Sequence, residues 1–321
     1  MFSACDLYQV PATEYQRLTV TPETTDESAP AYSAEAFKAA VFQRLFAINV
    51  PAKSKESVQG LISKLQNVLE GITLQNAGGM FDDCMVDTFC LVGQYQKDVV
   101  ISGSRELLGD MVVTLKSMPT EVSVNALAIK ILADLSKNYP AEDYGFLLAE
   151  TGLKISSSSG AVVTLHIATT SENLELLSDT EKAPPNALPL EQLENSLRLI
   201  DESSWFSANA SSTNIKGLVR LLADLRERIP TLNVLKDPAI DLLAHFCATA
   251  TADGTILPIE IAFRRFLELV GTGTLLRDSW PATDIFPSGD VDTATKMTIT
   301  MQISELLCQL SMGQFKAALA V

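Results

Sequence analysis

Histidine is scarce in this sequence: only His166 and His245 occur among 321 residues. His166 falls in an apolar, strand-like run. His245 sits beside Leu242, Leu243 and Phe246. In such settings a histidine reads as a satisfied core or half-buried group rather than an acid–base catalyst. Cys5, Cys84, Cys90, Cys247 and Cys308 are odd in number, widely spaced, and form no Cys-x-x-Cys pair. That leaves neither a disulfide framework nor a zinc signature, and it points to a reduced compartment. The Gly-x-Ser-x-Gly elbow, the Walker loop and the dinucleotide fingerprint are all missing. No apolar run approaches the roughly 20 residues of a membrane span. Met1 to Val10 lacks a basic stretch followed by an apolar core, so no secretory signal is expected. No cluster of Lys and Arg reads as a nuclear import signal, so a nuclear location implies travel with a partner.

Basic residues are outnumbered, 24 against 39 acidic, for a formal net charge of -15 and a pI of about 4.6. Such a surface repels nucleic-acid phosphates and attracts a basic partner, so contact with RNA is expected through that partner. The same charge is also explained by plain solubility.

What is present is a 47% apolar composition, enough for one large two-lobed domain or two domains. Residues 1–32 are rich in Thr, Glu, Pro and Ser and read as an extended or partly disordered arm. Ser33 caps a helix over 34–48, stopped by Pro51, and a second helix runs over 54–70 on Leu61, Leu65 and Leu69. A strand over 85–92, a polar segment over 93–109 and a strand over 110–115 follow. A helix over 120–138 carries Val124, Leu127, Ile131 and Leu135 on one stripe, and a third strand runs over 161–167. After the linker signal Ala183-Pro184-Pro185-Asn186 the pattern is helical to the end, the last helix spanning 298–319. The expected fold is α+β: a nucleotidyltransferase-like mixed-sheet lobe over 33–182, then an all-helical lobe over 183–321.

The informative segment is Leu91-Val92-Gly93-Gln94-Tyr95 followed by Asp110-Met111-Val112-Val113. An apolar strand, a glycine turn and an acidic strand are the layout of a nucleotidyl-transfer site. That chemistry takes two metal ions about 3.5–4 Å apart to clamp the attacking and leaving oxygens. Carboxylates at i and i+2 share one face of a strand and bridge both metals, and a neighbouring strand gives a third. The glycine lets the backbone approach the triphosphate, and a following hydroxyl donates to it. Here the i+2 position is Val112, the third strand offers Val162, Thr164 and His166 on one face, and Gln94 follows the glycine. Catalysis is therefore not expected. Two readings stay open for Gly93, Gln94, Lys97 and Asp110. They form a residual cradle for a nucleoside triphosphate with one magnesium ion, or Asp110 caps a strand and Lys97 is a solvated loop residue. The run Ser156 to Ser159 reads as a phosphate nest or as an ordinary serine-rich turn. Gly271-Thr272-Gly273 is most simply a helix stop.

Several stretches resemble the DZF family, and within it the interleukin enhancer-binding factor 2 branch. They are Lys64 to Leu69, Val92-Gly93-Gln94-Tyr95, Thr151 to Ser158, Ser204-Trp205-Phe206 with Asn209-Ala210-Ser211, Leu218 to Arg226, Asp241 to His245, Ala262-Phe263-Arg264-Arg265, and Gly313-Gln314-Phe315-Lys316. The resemblance runs from about residue 30 to the C-terminus. The chain lacks that branch's Arg/Gly-rich N-terminal extension and acidic C-terminal tail, and Gln94 stands where the family has serine. The resemblance implies a nucleotidyltransferase fold without catalysis and with no required cofactor. It also implies heterodimerisation, through the helical lobe, with a related double-stranded-RNA-binding protein. It implies a nuclear protein, shuttling to the cytoplasm included, that serves RNA metabolism or gene regulation. Arg is enriched at interface centres. Phe263, Arg264, Arg265, Asp284 and Pro287 are the expected interface residues, and the alternative is that both arginines are solvated or pair within the chain.

Overall fold

The computed structural model describes residues 32–77, 84–102, 108–149, 152–178, 184, 186–251, 254–273 and 291–321. The chain forms two compact units. One covers Val50–Ala208, and the other joins the chain up to Asn49 to Asn209–Val321.

The first unit is built on five strands: β1 (Val86–Val92), β2 (Leu108–Leu115), β3 (Tyr144–Ala149), β4 (Gly152–Ser157) and β5 (Val162–Thr169), in the spatial order β1-β2-β5-β4-β3. β1 and β2 are antiparallel, β3, β4 and β5 form an antiparallel meander, and β2 and β5 join the two pieces in parallel. The sheet is mixed, as expected. The strands alternate, so each β2 and β5 residue faces the opposite layer from its neighbour. One layer is filled by α2 (Ala52–Ala77) and α4 (Glu121–Asn138). Leu61, Leu65 and Leu69 of α2 and Leu127, Ile131 and Leu135 of α4 are fully buried with Met111, Val113, Leu115, Val163, Leu165 and Ile167. Each such side chain contributes about 1.5–3 kcal/mol relative to exposure. The start of α4 is fixed by a capping box between Thr120 and Ser123. The opposite face carries Val92, Val112 and Ala168 with Leu197 and Ile200 of α6 (Leu190–Asn209) packed on them.

Three local features differ from the sequence reading. The segment over Tyr144–Ala149 is a strand, and Ile155 with its serines lies in β4 and the tight turn into β5. Gly160 turns that corner at φ +81°. The serine run is thus a hairpin end, and Ser157 and Ser159 bond each other at 2.6 Å. Short helices also appear as α3 (Gly93–Lys97) and α5 (Ser171–Ser178).

The second unit is helical. It holds α1 (Ala34–Ala47), capped by Ser33, then α7 (Thr213–Arg228), α8 (Asp237–Thr249), α9 (Ile259–Gly271), α10 (Thr293–Ser311) and α11 (Phe315–Leu319). The single final helix of the sequence reading is two helices, because Gly313 takes a left-handed φ of +72° and breaks the run. α1 packs on α7, α9 and α11, so it groups with the C-terminal helices, and the two units divide at 208/209. Buried Asp224 of α7 anchors this unit. It accepts from Arg44 Nε at 3.0 Å and Nη2 at 2.6 Å, and from Arg228 Nε at 3.0 Å. The same arginines donate to the carbonyls of Ala320 and Ala318, which satisfies the end of α11.

Among the described residues, no helix is long and apolar enough to cross a membrane.

Candidate functional site

The acidic strand and the glycine turn meet as the spacing suggests. Val92 pairs with Asp110 across β1 and β2, and Gly93 begins α3 immediately after. Gly93 has φ +74°, and a Cβ there would stand 2.9 Å from Asp110 Oδ2. A side chain there would be strained in that conformation and would crowd the carboxylate. The Gly93 N–H donates to Ser203 Oγ of α6 at 3.2 Å, and Gln96 Nε2 donates to Ser207 Oγ at 3.1 Å. Tyr95 fixes the turn from the other side, its hydroxyl donating to the Lys55 carbonyl of α2 at 2.9 Å. Burial, and then the Asp98 charge, push the Tyr95 hydroxyl above its usual pKa.

On β5, Thr164 stands opposite Asp110 and His166 opposite Val112 in the parallel register. All four lie on the α6-facing layer by strand alternation. His166 Nε2 lies 3.1 Å from Asp110 Oδ1. The site face therefore offers one carboxylate, one imidazole, one hydroxyl and an isopropyl group. Cys90 sits on the same face, opposite Val112. Burial raises its thiol pKa, and a backbone hydrogen bond at Val112 opposes that only in part.

Gly93, Gln94 and Asp110 thus come together at the turn, with Gln94 half-buried. Lys97 does not join them as a solvated loop residue. It is 5% exposed, and its Nζ lies 5.3 Å from the centroid of the buried Phe206 ring. His166, Ser203 and Phe206 are the site neighbours that sequence reasoning left without a role. His166 could have been paired with Asp110 only by knowing the register. Ser203 and Phe206 lie on α6, and helical periodicity does not say which strand a helix covers.

In the helical unit, Phe263 is fully buried within its own core, so its side chain presents no surface. Arg265 donates Nη1 to the carbonyls of Cys247 (3.2 Å) and Ala250 (2.9 Å), joining α9 to the end of α8. Arg264 is exposed. It bonds Glu268 Oε1 at 2.8 Å and lies 4.8 Å from the centroid of the Tyr32 ring. Burial alone would lower its pKa, but the bonds to Glu268 and Tyr32 raise it. Asp284 and Pro287 lie outside the described residues. Two helices of this unit carry exposed apolar pairs one turn apart, and Phe46, which the helical spacing groups with the buried Phe37 and Val41, is among them. These are Phe42 (47%) and Phe46 (84%) on α1, and Met297 (61%) and Met301 (68%) on α10.

The order of the sheet, the glycine turn into an acidic strand and the helices that follow define a nucleotidyltransferase-fold protein. Solved structures with this fold match over most of the chain. A CdnC:HORMA-deltaN complex from E. coli MS115-1 matches at 16% identity over 87% of this chain and 92% of that one, with a TM-score of 0.56. Cid1 in complex with the UTP analogue UMPNPP matches at 12% identity over 87% and 94%, with a TM-score of 0.50. A GLD-2/RNP-8 complex matches at 11% identity over 90% and 99%, also at 0.50. Within that fold the chain is a member of the DZF family. The DZF N-terminal domain matches residues 8–211 and the DZF C-terminal domain residues 214–321.

Proposed function

We propose that this DZF protein is a non-catalytic pairing subunit, related to the interleukin enhancer-binding factor 2 branch. In this reading it heterodimerises with a double-stranded-RNA-binding protein carrying a related dimerisation domain, and it serves nuclear RNA metabolism or gene regulation, reaching RNA through that partner. The observation that carries the non-catalytic half is the donor set on the site face. Asp110 stands with Val112, Thr164 and His166 where two-metal chemistry needs further carboxylates. Support for pairing comes from family membership, from the charge of -15, and from the exposed apolar pairs on α1 and α10. Methionine is unbranched and polarisable, which suits an adaptable contact face. Large apolar side chains exposed one turn apart on a helix form a stripe that a partner can cover.

The test is affinity capture of the tagged full chain from nuclear extract treated with RNase, followed by mass spectrometry. Stoichiometric recovery of one double-stranded-RNA-binding protein is expected. It should be lost when Met297→Glu and Met301→Glu are introduced together, with the melting temperature unchanged. Failure to recover any such protein with the wild-type chain would sink the pairing reading. Incubation with labelled nucleotides, magnesium and an RNA acceptor is expected to give no incorporation, and incorporation would sink the non-catalytic reading.

A further inference from the structure

The nucleotidyltransferase fold implies bound divalent metal and nucleotide, and the residues at this site do not fit them. Magnesium wants near-ideal octahedral oxygen coordination and is held by one or two carboxylates, whose oxygens must be free to ligate, plus substrate phosphates and waters. The described site face supplies one carboxylate, and the group beside it is an imidazole, a ligand suited to softer metals.

We propose that the site is closed to metal and nucleotide by the chain's own side chains, because one oxygen of Asp110, the Gly93 N–H and the Lys97 ammonium are each engaged from within. Asp110 Oδ1 is held by His166 Nε2 at 3.1 Å, and Asp110 Oδ2 stands 2.9 Å from where a Cβ at Gly93 would lie. The Gly93 N–H, which would meet a phosphate, is taken by Ser203 Oγ at 3.2 Å. Lys97, the nearest cation in the turn, is buried against the Phe206 ring. His166 comes from β5, and Ser203 and Phe206 come from α6, so two separate elements close the site. A ligand here must displace an imidazole and a hydroxyl and draw a buried lysine off an aromatic face. A triphosphate must do so against the field of a chain with net charge -15. His166 is a positioning residue on this account: it fills the bonding direction on Asp110 that a cation would occupy and stitches β2 to β5.

This inference rests on the non-catalytic reading but fails separately from it. Titrate the full-length protein with Mn2+, read by water-proton relaxation, and with ATP plus magnesium, read by calorimetry. The wild-type chain is expected to give no signal at millimolar ligand. The double variant Val112→Asp/His166→Asp restores carboxylates at i, i+2 and across on β5, and it is expected to gain Mn2+ binding. A wild-type signal that Asp110→Asn abolishes overturns the proposal. A wild-type signal that survives Asp110→Asn lies elsewhere and leaves the closed site standing. A double variant whose circular dichroism matches wild type but which takes up no Mn2+ also overturns it, since His166 is then not what keeps the ion out. If the double variant does not fold, the wild-type titration decides alone. Wild-type binding that Asp110→Asn abolishes, without label transfer to RNA, sinks this inference only, whereas label transfer sinks the non-catalytic reading with it.

Discussion

Each unit contains an aspartate central to its structure, and the two are used differently. Asp110 in the sheet unit keeps 29% of its side chain exposed and has a histidine as its bonded neighbour. Asp224 in the helical unit is 5% exposed and is bonded by two arginines, which in turn reach the carbonyls of Ala320 and Ala318 at the end of α11. The first sits where a reactive site would lie in this fold, at the end of a strand beside a glycine turn. The second is a hub for α1, α7 and α11. Burial and partner count separate the two roles where residue type alone does not. A carboxylate that can still reach water tolerates an imperfect partner, whereas a dry one needs full charge compensation.

The sharpest way to break this comparison is Asp224→Ala. It leaves Arg44 and Arg228 facing each other with their compensating charge removed, at an expected cost of about 3–5 kcal/mol. Chemical denaturation should show the loss, and a cost comparable to that of an Asp110 change would erase the distinction. Gly152→Ala should cost about 3 kcal/mol, because strain at φ +142° adds to a Cβ placed 2.3 Å from the Leu165 carbonyl oxygen. It tests whether the seam between β4 and β5 is as unforgiving as the arginine hub. His166→Ala should cost only about 1 kcal/mol, the ordinary net worth of a partly buried hydrogen bond. The smallest effect concerns His245, whose pKa burial lowers from 6.5. The folded chain resists that proton while the unfolded chain accepts it, so stability is present above pH 6.5 and falls on acidification below it. In His245→Gln the slope of stability against pH just below that value should flatten, and an unchanged slope would remove His245 as its source.

Most of the fold was legible because periodicity is what burial demands. The stripes on α2 and α4 are buried as read, and Asp110 beside Gly93 was located by spacing alone. β3 escaped because Tyr144-Gly145-Phe146-Leu147-Leu148-Ala149 shows no alternation, as expected of an edge strand with Leu147 and Leu148 both exposed. The break before α11 rests on one glycine, and helix patterns tolerate single glycines. At the site, His166 gained meaning only once parallel register set it beside Asp110, information no local window holds. Phe263 was readable as core, since Ala262, Phe263, Phe266, Leu267 and Val270 recur at helical spacing and all are buried.

One feature of the sheet bears on how the chain reaches this structure. Three of its four strand pairings join antiparallel neighbours in chain order, and each can zip up locally. The exception is the parallel seam, in which Leu108 meets Val162, 54 positions later in the chain. Loop-closure entropy makes such a contact slow to form, so the hairpin and the meander are expected to assemble first and dock last. The Asp110–His166 bond crosses that seam, and so does Gly109, where a Cβ would press within 2.9 Å of Ile62 and 3.2 Å of Val163. During synthesis the ribosome must release the whole of β5 before β2 gains its second neighbour. Until then β2 carries one unpaired edge, and the interval in which that edge is open is when the nascent protein is most exposed to pairing with the wrong strand.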